Sequence, residues 1–124
     1  MISLKKLALI LSAIVFSLSL IACGSDLLQD AVDGINTDES LHAQLEGLYT
    51  IRAEVRSETT IAVIFRAQRD ELATPEAAKT VSDNGASEFQ YSVRGMREAR
   101  IHDPKLILEF LDMDGNLIYS REFS

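Results

Sequence analysis

Few side chains in this chain are suited to chemistry. Cys23 is the only thiol, and His42 and His102 are the only imidazoles. A zinc or acid–base site needs partners at regular spacing, such as two ligands four apart on one helix face. Each histidine stands alone in sequence, and His102-Asp103-Pro104 reads more simply as a turn. After Cys23, nucleophiles are limited to Ser and Thr, with neither a Gly-x-Ser-x-Gly elbow nor a Ser-x-x-Lys motif to activate them. No glycine-rich phosphate loop is present. The run Asp112-x-Asp114-Gly115-Asn116 invites a calcium reading. An EF-hand loop wants oxygen ligands at its first, third and fifth positions, glycine at the sixth and glutamate at the twelfth. With Gly115 at the sixth, Phe110 falls at the first and Arg121 at the twelfth, so a hairpin turn is the better account. Carboxylates are plentiful, but no pair stands out as an acid/base dyad. The chain is therefore expected to be no enzyme and to hold no metal and no cofactor.

One cluster runs against the acidic total. Arg94, Arg97, Arg100 and Lys105 lie together, opposed only by Glu98 and Asp103. With Tyr91 and Met96 they make a candidate partner-binding patch, since Arg and aromatic residues are favoured at interfaces. The plainer reading is a solvated loop that offsets the acidic remainder. The net charge of −7 argues against nucleic acid, or anionic lipid, bound through a general electrostatic field.

The elements that position these residues follow from hydrophobic periodicity. Residues 24–40 carry Asp26, Asp30, Asp33, Asp38 and Glu39 without a cation, and Leu27, Leu28, Ala31, Val32 and Ile35 form one helical face. This segment reads as an acidic tether with a short helix that Gly34 and Asn36 end. From Leu41 to Arg56 apolar and polar residues alternate, which predicts a half-buried strand with Gly47 as a bulge. A helix through Leu41, Leu45, Leu48 and Val55 is the competitor. Thr59 to Ala67 is rich in β-branched residues and predicts a central strand, covered on both faces, in a hairpin with the preceding one. Residues 70–88 read as a loop holding at most two helical turns, begun by Thr74-Pro75-Glu76 and stopped by Ser82-Asp83-Asn84-Gly85. Phe89, Tyr91 and Val93 alternate as another strand. Lys105–Leu111 and Leu117–Phe123 are strands joined by a turn in which Asp114-Gly115 supplies positive φ. Leu117, Tyr119 and Phe123 are expected on one side. Five strands in 41–124 predict one mainly β domain, a small antiparallel β-sandwich with a short helix. The alternative is an α+β domain with 41–56 helical. The closing hairpin, over 106–119, resembles that of small immunoglobulin-like domains in bacterial lipoproteins, without the Trp and cysteine pair of antibody domains.

The N-terminus carries an address. Lys5 and Lys6 precede sixteen uncharged residues, Leu7 to Ala22, in the plan of a secretory signal. As a helix this run reaches about 24 Å, short of the ~30 Å hydrocarbon core, and no basic stop-transfer cluster follows. It closes on Leu20-Ile21-Ala22-Cys23-Gly24, which resembles the lipobox of bacterial lipoproteins. That resemblance implies a signal peptide over 1–22, cleavage between Ala22 and Cys23, and acylation of Cys23, which would also account for the lone cysteine. Two or three acyl chains anchor essentially permanently. Gly24 and Ser25 follow the cysteine where the family places an Asp for inner-membrane retention, so the expected location is the cell envelope, at the outer membrane facing the periplasm where one exists. Loss of Lys5 and Lys6 takes the mature charge from −7 to −9. The sequence thus predicts a non-enzymatic envelope lipoprotein, with 23–40 as lipidated tether, that binds another envelope protein through a strand edge or the 94–105 loop. A small-ligand or metal-ion binder, with its site between the sheet and residues 70–88, is the alternative.

Overall fold

The computed structural model describes residues 27–124; the signal peptide, the cleavage site and Cys23 lie outside the described residues. The chain forms helices α1 (Leu27–Thr37) and α2 (Glu39–Leu45), then strands β1 (Tyr49–Ser57) and β2 (Thr60–Ala67). A 3-10 turn at Asp70–Leu72 leads to helices α3 (Pro75–Asn84) and α4 (Ala86–Glu98), and strands β3 (Lys105–Leu111) and β4 (Leu117–Phe123) close the fold. The four strands make one mixed sheet in the order β1-β2-β3-β4, with β2 and β3 parallel and both outer pairs antiparallel. The architecture is α+β, which corrects the expected five-stranded antiparallel sandwich. Parallel pairing is a consequence of α3 and α4, because only a crossover carries the chain back to the end where β2 began.

Every buried apolar residue of the helices joins one core cluster with Tyr49, Ile51, Ala53, Ile61, Val63, Phe65, Ala67, Leu106, Leu108, Phe110 and Phe123. The helices therefore occupy one face of the sheet. Ala62 and Ile64 are buried on the other face, so β2 is central and covered on both faces as expected, although no second layer of helices or strands among the described residues supplies that cover. Their cover is charged: Arg56 reaches across β2 to Glu109, with Nη2 2.6 Å from Oε1, and also pairs with Glu54. Aliphatic stems of such side chains shield apolar surface while their charges stay wet.

The expected strand over 41–56 divides. Asp38 caps α2 by accepting from the Leu41 N–H at 3.0 Å, and Leu41 and Leu45 are buried four residues apart while Ala43 is exposed. Gly47, at φ +80°, then turns the chain into β1. Neither the continuous strand nor the continuous helix forms. The expected strand at 89–93 lies inside α4, where Phe89, Ser92, Val93 and Met96 are buried at helical spacing. Ser92 hid this period: its hydroxyl donates to the Glu88 carbonyl at 3.2 Å, which lets a polar residue face the core. Thr74 does cap α3, accepting from the Ala77 N–H at 3.2 Å, but the helix runs ten residues, not two turns. Gly85 is only a joint, donating to Val81 and accepting from Phe89. The closing hairpin forms at the expected bounds, with Gly115 at φ +88°. Leu117 departs from its expected face and is exposed.

Candidate interaction surface

The strand register defines two ends of the domain. At one end lie Tyr49, Ala67 and the 112–116 turn. At the other lie the β1–β2 turn, Lys105 and Phe123. A cleft of about 610 Å³ at this second end is lined by Leu27, Leu28, Gln29, Val55, Ser57, Glu58 and Ile101, so α1 begins and α4 ends there.

The basic residues singled out in the sequence are distributed along α4 and its exit. Tyr91, Arg94 and Arg97 lie on its solvent side and Lys105 starts β3; all are exposed, whereas Met96 is buried beneath them. Tyr91 is 58% exposed, high for an aromatic residue in a packed helix. The other described cations are engaged. Arg52, Arg56, Arg69, Lys79 and Arg121 form ion pairs, and Arg66 donates to the Met113 carbonyl at 2.7 Å. Arg94, Arg97, Arg100 and Lys105 are the four that make no side-chain hydrogen bond or ion pair among the described residues.

Arg100 adds a second observation. It adopts φ +69°, its N–H donates to the Arg97 carbonyl at 2.9 Å, and the Ile101 N–H donates to the Met96 carbonyl at 3.1 Å. These are the two bonds of a Schellman motif, whose left-handed position favours glycine or asparagine. An arginine there costs about 1 kcal/mol or more. Its side chain makes no hydrogen bond or ion pair among the described residues that would offset this cost.

The other chemical candidates are not brought together. His42 Nε2 lies 3.1 Å from the Ile35 carbonyl, at the joint of α1 and α2. His102 is almost fully exposed beside Asp103, at the opposite end of the domain. Asp112 serves its turn, accepting from the N–H groups of Asp114 and Asn116 at 2.9 Å each. No group of three or more His, Cys, Asp or Glu among the described residues is arranged to hold a metal ion. Between the sheet and residues 70–88, Leu72, Ala78 and Val81 fill the interior. No described helix is long and apolar enough to cross a membrane. Gly34 and Asn36, expected to end α1, lie within it, and the Asn36 amide is bound instead to β1.

Comparison with protein-family models, with curated proteins and with solved structures gave no match.

Proposed function

We propose that the mature chain is a non-enzymatic envelope lipoprotein, anchored through acylated Cys23, whose α+β domain binds an acidic surface of another envelope protein along α4. Tyr91 supplies the aromatic anchor, and Arg94 and Arg97 supply charge-assisted hydrogen bonds to carboxylates. The observation that carries this reading is the absence of side-chain partners among the described residues for these guanidinium groups and for Arg100, where Arg52, Arg56, Arg66, Arg69 and Arg121 all have them. A short lipid leash keeps the domain concentrated at the membrane, so modest affinity suffices.

A photo-crosslinking side chain at Tyr91, introduced into the full chain in intact envelopes, tests the reading. A discrete adduct that disappears on Arg94→Glu with Arg97→Glu supports it. An adduct indifferent to both charges, or none, overturns it. The anchor has its own test: Cys23→Ser leaves the protein uncut or released from the membrane fraction, and normal retention refutes lipidation.

A further inference from the structure

We propose that the end of the domain bearing the Leu27–Val55–Ile101 cleft is a bilayer-facing surface, with Arg100 and Lys105 set against anionic headgroups. This rests on the reading that Cys23 is acylated. Between Cys23 and Leu27 the backbone takes four residue steps, which span at most about 14 Å when fully extended. An acyl anchor at Cys23 therefore holds the start of α1 close to the membrane, and the cleft residues share that end.

The chemistry of the end fits a headgroup layer. Val55 is 36% exposed, and Leu27 and Ile101 are partly exposed, so an apolar floor is open to solvent. Such side chains bury shallowly at the boundary of headgroup and acyl chain. The chain as a whole has nineteen acidic residues against twelve basic, and it is repelled by an anionic surface in most orientations. At this end Arg97, Arg100 and Lys105 offset most of the negative charge carried by Glu58, Glu98, Asp103 and Glu122. Its cations are free: Arg100 and Lys105 have no side-chain partner among the described residues, and Arg100 occupies a backbone position better suited to glycine. His102 lies on the same loop beside Asp103. The opposite end, at the 112–116 turn, presents Asp112 and Asp114.

The test uses the full chain, purified with its native processing and reconstituted in phosphatidylcholine vesicles with or without roughly a quarter phosphatidylglycerol. Acylation leaves Cys23 without a thiol, so Val55→Cys or Met113→Cys takes a single spin label, whose collisions with a water-soluble relaxant are measured. The Val55 label is expected to be shielded on the anionic vesicles and the Met113 label to stay open. Arg100→Glu with Lys105→Glu should weaken the anionic-lipid contribution by about fivefold per cation removed. An acylated protein with both labels equally open overturns the inference while leaving the anchor intact. Shielding in native envelopes but not in protein-free vesicles overturns it in favour of a protein cover. A mass showing unmodified Cys23 overturns the anchor and this inference with it.

Discussion

The side-chain amide of Asn36 binds the backbone of Ala53 twice. Its Nδ2 donates to the Ala53 carbonyl at 2.9 Å, and its Oδ1 accepts from the Ala53 N–H at 2.8 Å. Ala53 is the middle of β1, an outer strand of the sheet, so α1 supplies the pair of bonds that a further strand would make there. At Ala53 the edge is therefore blocked to pairing with another chain. β4 is the other edge strand, and no described group caps it in this manner.

Asn36→Ala should lower stability by about 1–3 kcal/mol, because two partly buried backbone groups lose their partner. Urea unfolding checks the magnitude. Amide exchange checks the location: protection at Ala53 should fall well before that at Val63 on the neighbouring strand. Equal protection in variant and parent would mean that water replaces the clamp at no cost.

Tyr49 sits at the far end of the core with its ring edge-on to Phe65 and Phe110, at 5.7 and 6.0 Å. Its hydroxyl is buried and without a hydrogen-bond partner among the described residues. Tyr49→Phe removes that orphan and should raise stability by about 1 kcal/mol. Burial also pushes the phenol from 10.0 up to about 12. The folded protein therefore favours the neutral form. The associated stability is fully present below pH 10 and is lost as pH rises towards 12. Alkaline unfolding of the parent should be steeper than that of Tyr49→Phe, and coincident curves would show that the hydroxyl reaches a partner in solution.

Acid works through carboxylates held below their usual range. Asp112 is lowered first by its bond from the Asn116 backbone, Asp83 by Lys79 and then Arg121, and Glu54 chiefly by Arg56. A depressed carboxylate stabilises the fold above its unfolded pKa, near 4, and that contribution disappears as pH falls through the folded value. Stability should thus decline below about pH 4. Asp112→Asn keeps an oxygen for the turn but removes the charge, so its acid limb should be flatter. An unchanged slope in thermal melts from neutral to acid pH would exclude Asp112 as a contributor.

The parts of this fold that sequence made legible are those with one local cause. The closing hairpin follows from an apolar strand, Asp114-Gly115 and a returning strand. Thr74-Pro75 marks a helix start, and Leu28, Ala31, Val32 and Ile35 mark a helical face. That face lies on the sheet, so a segment expected to act as tether contributes core. Ambiguity arose where two periods coincide over a short span. Leu41 and Leu45 satisfy both alternation and a helix turn, and the tie is broken by the Asp38 cap and by Gly47. In α4 the decisive residue is Ser92, polar yet buried through a bond to its own helix. The parallel pairing of β2 and β3 is a property of the whole chain path and has no local signature. For the candidate surface, clustering of Arg94, Arg97, Arg100 and Lys105 was legible in composition. Their lack of internal partners was not, because it depends on where every carboxylate of the fold points.

Arg94 and Arg121 make the sharpest contrast, since charge reversal at each is the same chemical change. Arg121 Nη1 lies 2.6 Å from Asp83 Oδ1 and 3.2 Å from Ser82 Oγ, with its guanidinium 4.7 Å from the centre of the Phe123 ring. The first two contacts tie β4 to α3. Arg121→Glu removes all three and sets a carboxylate against Asp83, so it should lower stability by about 2 kcal/mol. Arg94 has no such contacts, and Arg94→Glu should leave stability within about 0.5 kcal/mol of the parent. Urea midpoints at equal slope measure both. Partner capture should show the reverse order, lost in Arg94→Glu with Arg97→Glu and retained in whatever fraction of Arg121→Glu stays folded. A large destabilisation by Arg94→Glu would instead give that guanidinium an internal role and remove the main reason for assigning it to a partner.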